Sequence, residues 1–436
     1  MPMNSNPVKQ PPILNEIPHI AEGIIKPHHV VATQSRIIED DDAEPSMLVV
    51  RGMEGLAPFI SLWQELADSA CEPNVFYEPW MVLPALKAFP DENPEFYLIF
   101  SSGHGPNSAD PQLSGLFPIQ RRQRYKGFRT GVMTMWKYLY CCLCTPLIRK
   151  GHEANTINTL LEYCASEPKG AAILEWSYVS ADGPFAYALC DVFYERGTTT
   201  FVDESWTRAA MKPNANSSPE EYLKNAISRK ARKEYKRKDK RLSEQGRVEY
   251  VAIEAGKPHE EIDLNTQLNN FLEIEAAGWK GKEGSAFACD PAHRTFFLEV
   301  TKAAYEHKCL SLTELRFDGQ AIASKCDLIS GGCGFAFKIA YDENFSRFSP
   351  GLLLELEGIN EIHHNPNVTW MDSCAVRDHF MINRIWSERR MLQNIVIATG
   401  QGRGEFVVAS LPMLRHLKRV MNGLKKNKSK ENKNIQ

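Results

Sequence analysis

The stretch that decides the fold runs from Cys309 to Ile362. It reads CLSLTELRF (309–317), Asp318-Gly319, QAIASKCDLI (320–329), Ser330-Gly331-Gly332, GFAFKIAYD (334–342), then Ser349-Pro350-Gly351 opening LLLELEGINEI (352–362). Asp-Gly is a two-residue hairpin signal, and the second junction is as turn-prone, so three β runs form an antiparallel meander. Ser is a good N-cap and Pro fits the first helical position, which predicts a helix start at 349–350. Alternation along 334–342 puts Phe335, Phe337, Ile339 and Tyr341 on one bulky face. Gly334, Ala336, Lys338, Ala340 and Asp342 form the other, small except for its two charges, with room for something to lie against the strand. The helix start aims free N–H groups at that region, an arrangement that binds pyrophosphate. The same residues also read as an ordinary capped helix packed on a sheet.

Outward from this stretch, strand-type runs at 248–253, 368–373 and 392–399 and helices over 219–245, 260–277, 291–307 and 411–424 complete one half. Strand runs at 47–51, 95–100, 113–120, 131–136 and 171–176 and helices near 56–67, 153–166 and 184–195 repeat the plan in the other. The loop PNANSSP (213–219) marks the boundary. The expected fold is α+β, with domains at 47–212 and 213–424, each built on a largely antiparallel sheet flanked by helices. The leader 1–46, with seven prolines and the run Glu39-Asp40-Asp41-Asp42, and the basic tail 425–436 read as lacking regular structure.

Composition narrows the function. Of 436 residues, 43% are apolar and 24% charged, with net charge −3, so the whole molecule is not a basic nucleic-acid binder. The uncharged run Tyr138–Ile148 is short of the ~18–20 residues of a membrane span. No apolar signal core opens the chain, and eleven cysteines without a disulfide-like pattern suit reduced thiols, so a cytoplasmic protein is expected.

The run Ala340-Tyr341-Asp342-Glu343 followed by Ser349-Pro350-Gly351-Leu352-Leu353-Leu354 resembles the signature of GNAT-type acyltransferases of the CelD-like, cellulose-biosynthesis branch, related to the FemAB transferases. The likeness extends over most of 47–420, through LWQEL (62–66), FYEPW (76–80), LSGLFPIQ (113–120), Tyr222-Leu223 with Ser228, Lys230, Arg232 and Arg241-Leu242, and AGWK (277–280). The resemblance implies two tandem GNAT-like domains, with acyl-CoA, acetyl-CoA foremost, bound in the second where a strand splays from its neighbour, and no metal. Its pyrophosphate would meet Ser349, Pro350, Gly351, Leu352 and Leu353, with Arg347 beside it; Lys338, Tyr341, Trp279 and Asp372 would face the acceptor. The implied reaction is acyl transfer to an amine or hydroxyl of a small molecule or saccharide, by direct attack in a ternary complex. A base takes the proton and a strand N–H stabilises the oxyanion. Two rivals stand: a FemAB-like aminoacyl transferase using charged tRNA, and an inactive GNAT-like scaffold in polysaccharide or envelope assembly.

One segment departs from the family. Where relatives carry Asp-Phe-Gly-x-Gly and a later Tyr-Lys, this chain has Asp372-Ser373-Cys374-Ala375-Val376-Arg377-Asp378-His379, running to Asn383 and Trp386. His379 could act as base with Asp378 or Asp372 orienting it, and Cys374 as an acyl-accepting nucleophile. A capping Asp372, a core Cys374 and a surface His379 form the bland alternative; Asp342 and Lys338 are the next candidates. Lys224 to Arg241 holds ten Lys/Arg against two acids, net +8: a solvated helix face, a contact for an anionic substrate or the CoA phosphates, or a nucleic-acid surface. Cys141-Cys142-Leu143-Cys144 reads as buried strand cysteines, Gly400-Gln401-Gly402-Arg403-Gly404 lacks a dinucleotide register, and His363-His364 reads as a solvated pair.

Overall fold

The computed structural model describes residues 45–166, 171–213, 218–254, 263–400 and 402–433. Nearly all of the leader read over 1–46, residues 214–217 of the boundary loop, and the end of the basic tail lie outside the described residues. The first half runs β1 (Met47–Arg51), α1 (Gly52–Leu56), α2 (Ile60–Asp68), α3 (Pro79–Ala88), β2 (Glu95–Phe100), β3 (Leu113–Arg122), β4 (Val132–Met135), β5 (Leu147–Ile148), α4 (Glu153–Ser166), β6 (Ile173–Ser180), α5 (Pro184–Arg196) and β7 (Thr200–Met211). The second runs α6 (Pro219–Ala226), α7 (Arg229–Ser243), β8 (Val248–Glu254), α8 (Leu264–Ala277), α9 (Trp279–Lys282), α10 (Pro291–Glu306), β9 (Leu310–Phe317), β10 (Gln320–Ser330), β11 (Cys333–Tyr341), α11 (Pro350–His364), β12 (Trp370–Asp372), β13 (Glu388–Ala398) and α12 (Gly402–Lys433).

The predicted meander is β9-β10-β11. Asp318 and Gly319 both take positive φ at its first turn, and Gly331 and Gly332 at its second. The sheet order is β1-β2-β3-β4-β6-β13-β7-β12-β11-β10-β9-β8, with β5 on β3. Four antiparallel strands followed by a parallel pair occur in each half, β4 beside β6 and β11 beside β12. The architecture is thus tandem α+β with largely antiparallel sheets flanked by helices. The two sheets are one: β13, from the end of the chain, inserts between β6 and β7, and β7 pairs β12.

Several elements differ from the sequence reading, among them α3, where no helix is expected. The helix expected over 219–245 is two, because Ile227 turns extended and buried while Ser228 Oγ accepts the Ala231 N–H and caps a new helix. The central strand β7 occupies a stretch where the sequence pattern predicts none. The last helix starts at Gly402 and continues through the basic segment to Lys433.

What fastens the halves is a buried ion cluster. Asp372, without solvent exposure at the end of β12, is bonded by Arg208 Nη2 of β7 at 2.6 Å and Arg390 Nη1 of β13 at 2.8 Å. Arg390 Nη2 also donates to Ser180 Oγ of β6 at 2.8 Å, and Arg208 Nη1 to the Cys142 carbonyl at 2.7 Å. Removing one partner of a buried pair leaves an uncompensated charge, so Asp372→Asn should cost about 3–5 kcal/mol in urea unfolding. Glu204→Gln, which breaks the exposed pair with Arg377, should cost under about 1 kcal/mol. Equal losses would mean that the cluster does not hold the halves together.

Candidate active site

β12 follows β11 only through Cys333↔Trp370, Gly334↔Met371 and Phe335↔Asp372. Gly334 permits this approach, since a Cβ there would lie 1.8 Å from Met371 Sδ. Beyond Phe335 the two chains part. β11 continues to Tyr341 with β10 on one edge and no strand on the other among the described residues, while residues 373–382 swing away and return as the far wall of a cleft. The cleft holds about 880 Å³ between β11, the start of α11, the inner side of α7 and this loop.

A bulge re-aims the floor. Cys326 faces Lys338 but Asp327 faces Ala336, which leaves Phe337 unpaired. Strict alternation therefore fails. Phe335, Phe337 and Ala340 pack in the main core, whereas Ile339 and Tyr341 turn to α11, where a Cβ on Gly351 would lie 3.7 and 3.4 Å from them. Lys338 comes to the core side, its ammonium 4.7 Å from the Tyr140 ring centroid, 5.2 Å from Phe287 and 5.4 Å from Phe337. Burial lowers its pKa, and no carboxylate lies within ion-pair distance of it among the described residues.

The α11 start differs from a row of free N–H groups. Ser349 adopts a left-handed conformation (φ 56°), and its side chain does not cap the helix. Its carbonyl accepts the Leu352 and Leu353 N–H groups at 3.0 and 3.1 Å, and Pro350 has none. Gly351 is left as the first-turn N–H without a backbone acceptor among the described residues. Ser349 Oγ accepts from Lys238 Nζ of α7 at 2.7 Å, so a cation stands at this point. It is not Arg347, which donates to Gln245 Oε1 at 2.8 Å and lies on the Phe348 ring.

The remaining expected residues divide. Pro350, Gly351, Leu352 and Ser349 line the cleft, as do Lys338, Tyr341 and Trp279, and Cys374 and His379 border it from the loop. Leu353 is core-buried instead. Asp342 caps the turn after β11 by accepting the Asn344 N–H, Asp378 is exposed away from the cleft, and Asp372 is spent on the two arginines. His379 does not suit the role of base. Its Nδ1 accepts the Ile382 N–H at 3.3 Å, which leaves the proton on Nε2, and burial lowers its pKa although Glu355 pulls the other way. A neutral Nε2–H donor results. Cys374 is held as a thiol by burial, at φ 52°. Its hydrogen bond, with Lys338 and Arg208 nearby, pulls Cys142 below the ordinary thiol range. Cys142 lies on a loop, not a strand.

Sequence reasoning missed the ion set on the floor. Lys325 Nζ is 2.9 Å from Glu355 Oε2 and 3.0 Å from Asp327 Oδ2, all three buried, and Lys325 and Glu355 line the cleft. Gly358 of α11 makes room for this ammonium, a Cβ there lying 3.0 Å from it. Glu361, one turn further, accepts from Thr313 Oγ1 at 3.1 Å. Its pKa is pushed up to about 7 by burial, against the pull of Thr313 and Lys325. Strand alternation puts Lys325 on a β10 face and helical periodicity puts Glu355 on α11, but only the tertiary fold brings them together. No group of three or more His, Cys, Asp or Glu suited to a metal occurs among the described residues. A second depression of about 440 Å³ at Arg51, Glu95 and Arg121 has its charges satisfied internally, both arginines pairing with Glu95.

Residues 229–380, which form the walls of this cleft, match the family described as Acetyltransferase (GNAT) domain. No curated protein matches the chain. Among solved structures, a conserved protein of unknown function from Bacteroides thetaiotaomicron is similar at TM-score 0.49 and 11% identity, over 80% of this chain and 99% of that one. FemX is similar at 0.49 and 8%, over 78% and 95%. A tandem GNAT protein from the clavulanic acid biosynthesis pathway is similar at 0.40 and 10%, over 82% and 100%.

Because Glu361 holds its proton more tightly in the folded chain than in the unfolded one, its contribution to stability is full at low pH. It is lost as pH rises toward and past 7. Melting temperature should therefore fall from about pH 5 to about pH 8, and Glu361→Gln should flatten that fall. An unchanged slope in the Gln variant would refute the assignment.

Proposed function

We propose that the chain is an acyltransferase moving an acyl group, acetyl foremost, from acyl-CoA to an amine or hydroxyl of a small molecule or saccharide-type acceptor, in the manner of the CelD-like branch. The observation that carries this reading is the open edge of β11 beyond Phe335, ending at the unpartnered Gly351 N–H and Lys238. Strand N–H and C=O groups there have no neighbouring strand among the described residues and suit an extended amide-bearing arm such as that of CoA. Ser349 Oγ already accepts from Lys238, so its own proton is free for a phosphate oxygen, and Gly351 N–H and the ammonium complete an anion cradle.

Glu355 serves as base in this mechanism. It is a buried carboxylate on the cleft, fixed at Oε2 by Lys325, which Asp327 holds in turn. It takes the proton from the acceptor nitrogen or oxygen as that atom bonds to the acyl carbon and the carbon–sulfur bond breaks, and the proton passes to the leaving thiolate. His379 Nε2–H, a neutral donor, polarises the acyl oxygen. Lys338, without a carboxylate partner among the described residues, anchors an anionic group of the acceptor.

A second reading has one observation in its favour. Arg229, Lys230, Lys233, Lys236, Arg237, Lys240 and Arg241 form an exposed stripe on α7, whose other side lines the cleft through Glu234, Tyr235 and Lys238. Such a stripe suits a polyanionic donor, as in a FemAB-like transferase using charged tRNA.

By calorimetry, Gly351→Glu should weaken acetyl-CoA binding more than tenfold, about 1.4 kcal/mol. Gly351→Ala, whose Cβ makes only ordinary contacts at 3.4 and 3.7 Å, should stay near wild type. Equal affinity of all three refutes the cradle. Glu355→Gln should lower transfer to a panel of amines and amino sugars ~10²–10⁴-fold with little change in acetyl-CoA affinity. Charge reversal at Lys236, Arg237 and Lys240 should leave acetyl-CoA binding and melting intact. A wild type that binds charged tRNA salt-dependently but not acetyl-CoA, and loses it on this reversal, would favour the second reading.

A further inference from the structure

The helix α12 leaves the body with two unlike faces. Its first turns are held by Gly404, Val407, Val408 and Leu411, buried against Phe201, Val396 and Ala398. Gly404 sits so close that a Cβ would lie 1.9 Å from the Ala172 carbonyl oxygen. Past Leu414, every residue from Arg415 to Asn422 is exposed. Phe406, Met413, Leu417, Val420 and Met421 are 47% to 69% exposed, and at roughly 100° per residue they share one sector about 100° wide. Nothing among the described residues covers this apolar stripe.

Charge says what covers it. Residues 406–422 contain no Asp or Glu, and Arg415 to Lys433 holds eight Lys/Arg against Glu431 alone. Arg415 is turned to the body, over Phe201 and toward the Val202 carbonyl, whereas Lys418 and Arg419 are exposed on the polar side of the helix, about 60° and about 100° beyond the edges of the stripe. A second copy laid on this helix would bring two such cationic runs together. A nucleic acid would satisfy the cations but leave Phe406, Leu417 and Met421 in water. An anionic bilayer surface satisfies both, by taking the apolar side chains below its headgroups while long basic side chains reach the phosphates. No helix among the described residues is long and apolar enough to cross a membrane, so the contact is with the surface.

We propose that α12 is an interfacial helix that docks this protein on an anionic lipid surface, independently of the acyl-transfer reading. The full chain should co-sediment with vesicles of phosphatidylcholine and phosphatidylglycerol at low salt, bind pure phosphatidylcholine at least tenfold more weakly, and lose affinity as salt rises. Leu417→Glu with Met421→Glu should reduce binding to the anionic vesicles at least tenfold while leaving the melting temperature unchanged, since both side chains are exposed. Lys418→Glu with Arg419→Glu should do the same. Wild type that ignores anionic vesicles overturns the proposal. So does binding that survives Leu417→Glu with Met421→Glu, which would be attraction of charge alone. Sedimentation of wild type as a dimer that the same variant dissolves would assign the stripe to a second copy instead.

Discussion

A carboxylate without solvent exposure, held between guanidiniums from two other strands, sets where the cleft can open. Asp372 ends β12, and Arg208 and Arg390 draw it toward β7 and β13. Burying any one of these charges alone would be prohibitive, so the three must close together or not at all. Arg390 reaches Ser180 on the first half and Arg208 reaches the Cys142 carbonyl, which ties both halves to the same point. The chain then turns at once: Cys374 N–H donates to Asp372 Oδ1 at 2.9 Å, and Cys374 takes a left-handed φ. β12 thereby ends after three residues, and the far edge of β11 is left without a partner strand among the described residues. The residue that resemblance assigned to the acceptor is instead the anchor from which the cleft opens.

The open edge gains its chemistry from a second constraint, the bulge at Phe337. One unpaired residue moves Lys338 into an aromatic box and gives Ile339 and Tyr341 to α11. Lys280 Nζ, held by Glu275 at 2.9 Å, donates to the Ile339 carbonyl at 3.1 Å, so part of this edge is satisfied by a side chain. Below it, Lys325 serves Asp327 and Glu355 at once and also acts on Glu361. Burial raises the pKa of both Asp327 and Glu361, against the pull of Lys325. Glu355 alone of these three carboxylates borders the cleft, fixed by its ion pair with Lys325.

Local signals were legible where they are local. The Asp318-Gly319 and Gly331-Gly332 turns, the Pro350 helix start and the strand EFYLIF stand where the sequence put them. The GNAT-type reading rests on the same stretch, and residues 229–380 match that family. What stayed hidden depends on partners far along the chain. β7 reads poorly because Asp203, Glu204 and Arg208 interrupt its apolar pattern, yet they pair with Lys126, Arg377 and Asp372. The bulge leaves no mark in an alternating run of aromatic and small residues. Nor does any one-dimensional pattern show that His379 accepts a backbone N–H and so loses the nitrogen that a base would use.

The two halves share a topology, but they differ at equivalent points, just past the fourth antiparallel strand of each. After β4 come Trp136 and Tyr138, both fully buried, with ring centroids 4.9 Å apart. The Trp136 carbonyl accepts from Tyr77 Oη at 2.8 Å, and Tyr138 Oη donates to the Phe76 carbonyl at 2.9 Å. Aromatic side chains therefore fill the divergence of β4 from β6 and satisfy its backbone. After β11 come Asp342 and a short turn to Ser349 and Gly351, small residues that leave the corresponding wedge open. Tyr140, from the loop that fills the first half, crosses over to stack on Phe296 at 5.1 Å and to flank Lys338. The first half thus lends one ring to the aromatic box around Lys338, while the residues that line the cleft all come from the second half.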